Sequence, residues 1–481
     1  MSWLPPPSLE SFDRYVMNDI PIRLIRLSNM KFVGRDDVKK HFRSSVPPGR
    51  DWNYHPSQTV KYAILSHRWL DEGEPTYEEM KNDKATGLGY EKLKNFCEKA
   101  QEYDVEFVWS DTCCIDKSSS TELDDSIRSM FRWYRNSTIC IVHLAQSETL
   151  NLMMSDEWME RGWTLQELLA PQRIKFYNKH WMPLTGDRND KSRESIEIFG
   201  ILQRATGIPS EDLHAFYPKA YHRVDERMTW AARRRTTRVE DVAYSLMGIF
   251  DVSMQIAYGE GGERAFSRLT EAIMKAGDPS VFNWKGSAAS HHTSRAIPQS
   301  PQSFVGHPNL GLPTTRRMQL EMTMTSLGLR VPLVLFPLHP RSRTVLGNGY
   351  ERIVFDCPLC PTIKLDITAL QVIMPRPEYH HYALGIVNYS LRHDGSREIV
   401  QVQCRSVGLI LMRTSENAGA TTTCTLEPNA LVGLKVINPP EKTFKQWGIL
   451  HGVGLVKVDF MSVPNESSFY IDREHLEVVY L

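Results

Sequence analysis

The apolar positions along this chain change period several times, and those changes divide it. Between residues 22 and 187, short β-branched and aromatic runs alternate with stretches of helical period. Lys61-Tyr62-Ala63-Ile64-Leu65-Ser66-His67 is an apolar run that turns polar at its end, as a buried strand does where it leaves a sheet. Residues 90–103 place Leu93, Phe96, Cys97 and Ala100 at i, i+3, i+4 and i+7, one apolar stripe of a helix. Val105-Glu106-Phe107-Val108-Trp109 predicts the next strand. Ser119-Ser120-Thr121-Glu122 then fits a capping box, opening a helix with Leu123, Ile127, Met130, Phe131 and Tyr134 on its inner face. Thr138-Ile139-Cys140-Ile141-Val142 and Arg173-Ile174-Lys175-Phe176-Tyr177 predict two more strands with a helix between them. Such alternation predicts an α/β fold with a mainly parallel sheet and right-handed crossovers. Ligands of parallel sheets sit beyond the carboxyl ends of the strands. Here those ends carry Ser66-His67-Arg68-Trp69, Ser110-Asp111-Thr112-Cys113-Cys114, His143 and Tyr177.

The remainder reads differently. Residues 192–285 are mainly helical in pattern, and 286–318 are rich in Ser, His, Pro, Gly and Thr, which predicts a linker or exposed loop. From 320 onward, short apolar runs recur at close spacing: 329–335, 352–355, 363–367, 383–387, 399–402, 408–412, 431–437, 450–458 and 476–481. That rhythm predicts an all-β sandwich or barrel. The predicted organisation is therefore an α/β domain over 22–187, a helical extension over 192–285, a linker over 286–318 and a β-rich domain over 320–481.

Composition narrows the function classes. At about 150 residues per domain, 481 residues suit such a division. Lys plus Arg and Asp plus Glu are 57 each, so no global basic field exists to hold nucleic acid. No apolar run approaches the ~18 residues that cross a bilayer, and Met1-Ser2-Trp3-Leu4-Pro5-Pro6-Pro7 has neither the basic nor the apolar region of a secretory signal. Eight cysteines are ordinary usage for a reduced compartment. A soluble, cytoplasmic protein is expected, with no membrane span and no nucleic-acid partner.

Three segments carry a specific resemblance. They are Tyr62-Ala63-Ile64-Leu65-Ser66-His67-Arg68-Trp69, then Asp111-Thr112-Cys113-Cys114-Ile115-Asp116-Lys117, then Arg161-Gly162-Trp163-Thr164-Leu165-Gln166-Glu167-Leu168-Leu169-Ala170-Pro171. In order and spacing they resemble the fungal heterokaryon-incompatibility (HET) domain. Arg23-Leu24-Ile25-Arg26-Leu27 is similar to the opening strand of these proteins, and residues 235–252 with Tyr258-Gly259-Glu260-Gly261 to the helical segment behind the domain. The resemblance spans roughly 22–285, with Ser110 in place of an aliphatic residue and His143 in place of an aromatic one. The β-rich half carries no such resemblance.

The resemblance implies a cell-death effector of fungal self/non-self recognition and innate immunity. It further implies a flavodoxin-like fold of the TIR type. Many TIR domains cleave NAD with a glutamate in a Trp-Cys-x-x-Glu-Leu helix, and Trp163-Thr164-Leu165-Gln166-Glu167-Leu168 has that shape with Thr for Cys. Glu167 is then the catalytic candidate, and Ser66, His67, Arg68, Trp69, Asp111, Arg161 and Trp163 are the substrate-binding candidates. One carboxylate suffices chemically, because nicotinamide leaves a pyridinium as a neutral molecule and needs no general acid. Ordinary glycoside hydrolysis pairs two carboxylates. What remains is electrostatic stabilisation of a cationic ribose. NAD would be the substrate; no cofactor and no metal are implied.

Plainer readings stand beside these. Thr164-x-x-Glu167 is itself a capping box, which would occupy Glu167 at its own helix end. Cys113-Cys114 suit packing better than a thiol protease, Cys357-x-x-Cys360 lacks the second half of a zinc site, and Arg233-Arg234-Arg235 reads as a solvated helix face. The alternative function is a non-enzymatic module that assembles homotypically or with other HET or TIR-like domains. The two differ in whether Glu167 turns towards the strand ends or is consumed in its cap.

Overall fold

The computed structural model describes residues 9–44, 59–218, 223–292, 294, 296–307, 320–360, 363–371, 380–394, 397–414, 447–450, 452–460, 468–471 and 473–481. The opening residues Met1 to Pro7 and the run 431–437 lie outside the described residues. The chain divides into two compact units: Met1–Ala220 with Arg227–Leu269, and Tyr221–Glu226 with Thr270–Leu481.

The first unit is built on β1 (Arg23–Arg26), β2 (Lys31–Gly34), β3 (Tyr62–His67), β4 (Phe107–Trp109), β5 (Ile139–His143) and β6 (Ile174–Tyr177), in the sheet order β2-β1-β4-β3-β5-β6. β3 pairs in parallel with β4 and β5, and β5 with β6. β1 is antiparallel to both neighbours; the short turn to β2 leaves no room for a crossover helix between those two. The four parallel strands therefore lie in the order second, first, third, fourth. Helices α1 (Leu9–Asn18), α2 (Arg35–Ser44), α3 (Tyr77–Lys81), α4 (Leu88–Gln101), α5 (Ser120–Asn136) and α6 (Thr164–Leu169) intervene between or precede the strands.

Packing follows the sequence pattern closely in this unit. All six residues of β3 are buried, and α4 buries Leu93, Phe96, Cys97 and Ala100 as its stripe predicts. Tyr134 of α5 donates to Leu65 O (2.9 Å), while Trp109 and Trp133 meet edge to face at 5.7 Å. The capping box of α5 forms only by half. Ser119 Oγ accepts from Glu122 N (3.3 Å), yet the Glu122 carboxylate turns to Arg23 at 2.8 and 3.1 Å and accepts from Asp116 N at 2.8 Å. A bidentate guanidinium outcompetes the helix's own backbone for that carboxylate.

The helical stretch continues with α7 (Ile196–Thr206), α8 (Ser210–His214), α9 (Val224–Ala231), α10 (Asp241–Tyr244), α11 (Met247–Phe250) and α12 (Gly262–Met274). The division between units falls inside this stretch, within α12, rather than at its end. The described part of the expected linker is packed. Ala296, Ile297 and Phe304 are fully buried, and Ala289 N bonds Ile297 O (2.9 Å). Sparse apolar anchors and local backbone pairing override the polar composition there; residues 308–319 lie outside the described residues.

The β-rich region comprises β7 (Thr323–Thr325), β8 (Gly328–Gly347), β9 (Tyr350–Asp356), β10 (Lys364–Leu370), β11 (His380–Ile386), β12 (Tyr389–Asp394), β13 (Arg397–Gln403), β14 (Arg405–Thr414), β15 (Gly448–Ile449), β16 (Leu455–Asp459), β17 (Ser468–Ile471) and β18 (Leu476–Tyr480). A nine-stranded sheet runs β10-β9-β8-β11-β14-β15, with β7 and β18 on β8 and β16 on β14, and β12-β13-β17 form a smaller sheet. Every pairing described is antiparallel. Inward residues such as Phe336, Ile353, Phe355, Leu384, Val400 and Ile410 form one apolar core.

Candidate functional site

β3 ends on two polar residues that alternate to opposite faces of the sheet, as pleating requires. On one face, Trp158 in the 3-10 turn Glu157–Glu160 donates its Nε1–H to Ser66 Oγ (2.8 Å). Ser66 in turn donates to Glu167 Oε2 (2.5 Å). Ser66 and Trp158 are fully buried and Glu167 is 6 % exposed. The capping box read at Thr164 and Glu167 does not form. Thr164 Oγ1 lies 2.6 Å from Trp158 O and 2.9 Å from Arg161 O, and no side chain caps α6. Glu167 is thereby released from its helix and turns to the strand end.

That position carries an electrostatic cost. Burial, reinforced by the negative charge of Asp111, pushes Glu167 up to about 8, against the bond from Ser66 and the charge of Arg161. At neutral pH it is mostly the protonated acid. Tyr134 of α5 and Cys140 of β5 also feel its charge, and the Cys140 thiol lies 3.9 Å from the Glu167 backbone carbonyl.

On the opposite face, His67 Nε2 lies 3.3 Å from Asp111 Oδ1, and Nδ1 lies 4.0 Å from Glu74 Oε1. Lys92, on the inner stripe of α4, pairs with the same Glu74 and donates to Arg68 O (3.2 Å). Burial, with the charge of Lys92, holds His67 below its ordinary range, so the ring is neutral. Burial pushes Asp111 up, but His67, Lys117 and the Trp69 indole outweigh it and hold the carboxylate below its usual range. Trp69 donates Nε1–H to Asp111 Oδ2 (2.8 Å), stays 36 % exposed, and carries Lys117 Nζ 3.9 Å from its ring centroid. Anion, cation and aromatic surface thus meet at the carboxyl end of β3.

The remaining candidates divide. Arg68 bonds Glu157 (2.5 Å) and Asp71 (3.3 Å), tying the loop after β3 to the turn that carries Trp158. The charge of Arg161 reaches Glu167 and Lys92. Trp163 is committed elsewhere: its Nε1–H goes to Asp241 Oδ2 (3.0 Å) in the helical stretch. Cys113 and Cys114 are buried, and the hydrogen bond from Cys114 together with burial raises the Cys113 thiol well above its ordinary range, the opposite of an activated nucleophile. Ser110 bonds Thr112 Oγ1 (2.9 Å), while His143 stacks on Trp181 (4.3 Å) and is pushed down to about 4 by burial. No group of three or more metal-ligating side chains occurs among the described residues, and no described helix is long and apolar enough to cross a membrane.

Sequence reasoning missed Trp158, Glu74, Lys92 and Lys117. Lys92 did leave a signal, since it precedes Phe96 by four residues and so lies on the apolar face of α4. Arg234 was misplaced: it is not on a solvated helix face but donates to Arg161 O (2.8 Å) and Thr164 Oγ1 (2.9 Å).

Comparison with known proteins matches residues 62–154 to the family described as heterokaryon incompatibility protein (HET). The chain is also similar to Vegetative incompatibility protein HET-E-1 of Podospora anserina, 41% identical over 260 residues, covering 51% of this chain and 18% of that relative. This chain therefore spans less than a fifth of the relative's length. No solved structure matches it. The match begins at the first residue of β3 and takes in Ser66, His67, Trp69, Asp111 and Lys117, so residues 62–154 form a segment that matches the HET family.

Proposed function

We propose that this protein is a heterokaryon-incompatibility effector that triggers cell death, with a TIR-like HET domain that hydrolyses NAD at the carboxyl end of β3. The observation that carries the chemistry is Glu167, a buried carboxyl that its own helix does not use. A buried carboxyl without a cationic partner costs stability that an apolar residue would not, which supports reading it as a site kept for chemistry. The order second, first, third, fourth of the parallel strands supports a flavodoxin-like reading. In that topology ligands bind where the order reverses, between β3 and β5, which is where Ser66 and His143 stand.

The step needs an ionised carboxylate. Nicotinamide leaves with the electron pair of its ribosyl bond, water adds to the ribose carbon, and a proton is released. Glu167 stabilises the intervening positive charge. In the closed arrangement it is neutral, so entry of the nucleotide parts α6 from Ser66 and solvates the carboxyl, which restores its charge. The surface of Trp69 and the cations Lys117 and Arg161 suit a planar ring and a pyrophosphate.

The second reading is an assembly module that engages other HET or TIR-like domains. The same burial favours it, because Trp158, Ser66 and Glu167 also form a closed packing network. Incubating the purified full-length protein with NAD separates the two. Release of free nicotinamide supports the enzyme; its absence from folded, cell-killing protein leaves the assembly module.

A further inference from the structure

The loop that leads into α6 is tied at every residue to a segment some 70 positions later. Arg235 N donates to Glu160 O (2.6 Å) and Gly162 N donates to Arg235 O (2.8 Å), so the two stretches pair in parallel at Arg161 and Arg235. Gly162 sits so close that a Cβ there would meet Thr236 Cγ2 at 2.4 Å. Trp163 Nε1 donates to Asp241 Oδ2 (3.0 Å), and Tyr258 OH holds the other oxygen of Asp241 at 2.9 Å. Arg234 Nη1 completes the set on Arg161 O and Thr164 Oγ1, the residues that open α6.

We propose that residues 234–241 are a strap that sets the position of α6, and that Arg234 is a positioning residue for Glu167, acting through the first turn of the helix and through its charge. This rests on the reading of Glu167 as the catalytic group. Arg234 Nη2 is buried without a hydrogen-bond partner, leaving an N–H of the guanidinium uncommitted. Burial lowers Arg234 to about 10 while the charge of Glu167 raises it. A fixed cation lowers the cost of ionising a nearby carboxyl. The other groups facing Glu167 are Asp111, which opposes ionisation, Ser66, Arg161 and Tyr134, which favour it, and the Cys140 thiol. The strap lies well beyond residue 154, where the family match ends, so the working module would extend past the matched segment.

The test uses full-length Arg234→Gln, which keeps a donor but loses the charge, and Arg234→Lys, which keeps the charge but not the fork. Each is made with and without Glu167→Gln. Thermal midpoints are read from pH 6 to 9, and nicotinamide release is read where the wild type shows it. If Arg234 acts on Glu167, Arg234→Gln lowers the midpoint more at pH 9 than at pH 6, and this pH dependence vanishes in the Glu167→Gln background. Turnover then falls about 10²-fold with KM unchanged, and the acid limb of the pH profile moves up by roughly one unit. Arg234→Lys returns that limb to its wild-type position. A midpoint loss that is equal at both pH values and in both backgrounds makes the strap purely structural and overturns the proposal. If Arg234→Gln does not fold, an Arg234→Lys pH dependence that departs from wild type overturns it, and one that coincides supports it. A wild type that releases no nicotinamide ends the catalytic reading of Glu167, and the midpoint cycle still decides whether Arg234 acts on that carboxyl.

Discussion

The parallel sheet and the antiparallel region after residue 320 bury polar groups in different ways. Among the described residues of the β-rich region, the buried polar side chains Glu351, Asn388 and Ser406 each have a local partner, while single atoms, Asp356 Oδ1 and Trp447 Nε1, are buried without a hydrogen bond. Arg343 grips Glu351 at 2.7 to 3.0 Å, Asn388 Oδ1 accepts from Val407 N (2.8 Å), and Ser406 donates to Gln403 O (2.6 Å). The parallel sheet contains satisfied polar groups too. Buried Lys175 donates to Thr185 O, Asp187 O and Asp190 at 2.7 to 3.1 Å. At the end of β3, however, His67 Nδ1 and Glu74 Oε2 are buried without a hydrogen bond, and Glu167 is held as the neutral acid. Single unsatisfied atoms occur in both regions; what sets the end of β3 apart is that they cluster beside a carboxyl held neutral, the kind of perturbed group that points to chemistry.

The largest effect should come from the β-rich core. Phe355→Ala removes a fully buried ring from the β-rich core and should cost about 3–5 kcal/mol in urea unfolding. NAD turnover of the folded fraction should stay unchanged; a loss of turnover there would blur the contrast between the regions. Glu167→Gln should act the other way round. It should reduce nicotinamide release by about 10²–10³-fold, since one preorganised electrostatic group is lost.

The same substitution should also flatten the pH dependence of stability. Glu167 is raised in the folded protein, so the folded state keeps its proton between about 4.5 and about 8 while the unfolded chain releases it. The wild type therefore loses stability as pH rises through that window, by at most about 1.4 kcal/mol per unit. The Gln variant escapes this loss. Equal slopes for both proteins in pH-dependent melting would remove the buried neutral carboxyl from the account.

Ser66→Ala strips Trp158 Nε1 of its acceptor and Glu167 of its donor, and should cost about 1–3 kcal/mol by calorimetry. The smallest change sharpens the comparison from the surface. Arg352 and Asp366 pair across β9 and β10 with both side chains about half exposed, so Arg352→Ala should leave the urea midpoint close to that of the wild type. A larger loss would show that exposed pairs support the β-rich sheets.

Much of the first unit was legible from the sequence, because its strands and helices obey local periods. The alternation around β3 to β6 marks the parallel strands, and the stripe on α4 appears where its spacing predicts. The strand ends follow from topology alone, and Ser66, His67, Trp69 and Asp111 stand there. In segment 286–307 the apolar anchors that pack are too sparse to outweigh the polar composition of the sequence.

What the amino-acid order determined by itself is the parallel framework, the antiparallel second region and the polar edge, since these depend on neighbours within one turn or one strand. The tertiary structure alone decided where Glu167 points. The pattern Thr164-x-x-Glu167 satisfies a local capping rule, but the hydroxyl of Thr164 is drawn to Trp158 O and Arg161 O, and the carboxyl to Ser66, 101 positions away. Arg234 and Asp241, some 70 to 80 positions from the loop they hold, are equally invisible to periodicity. Hydrogen bonds between groups distant in sequence leave no period behind, so the orientation of a buried acid becomes readable only when the chain has closed around it.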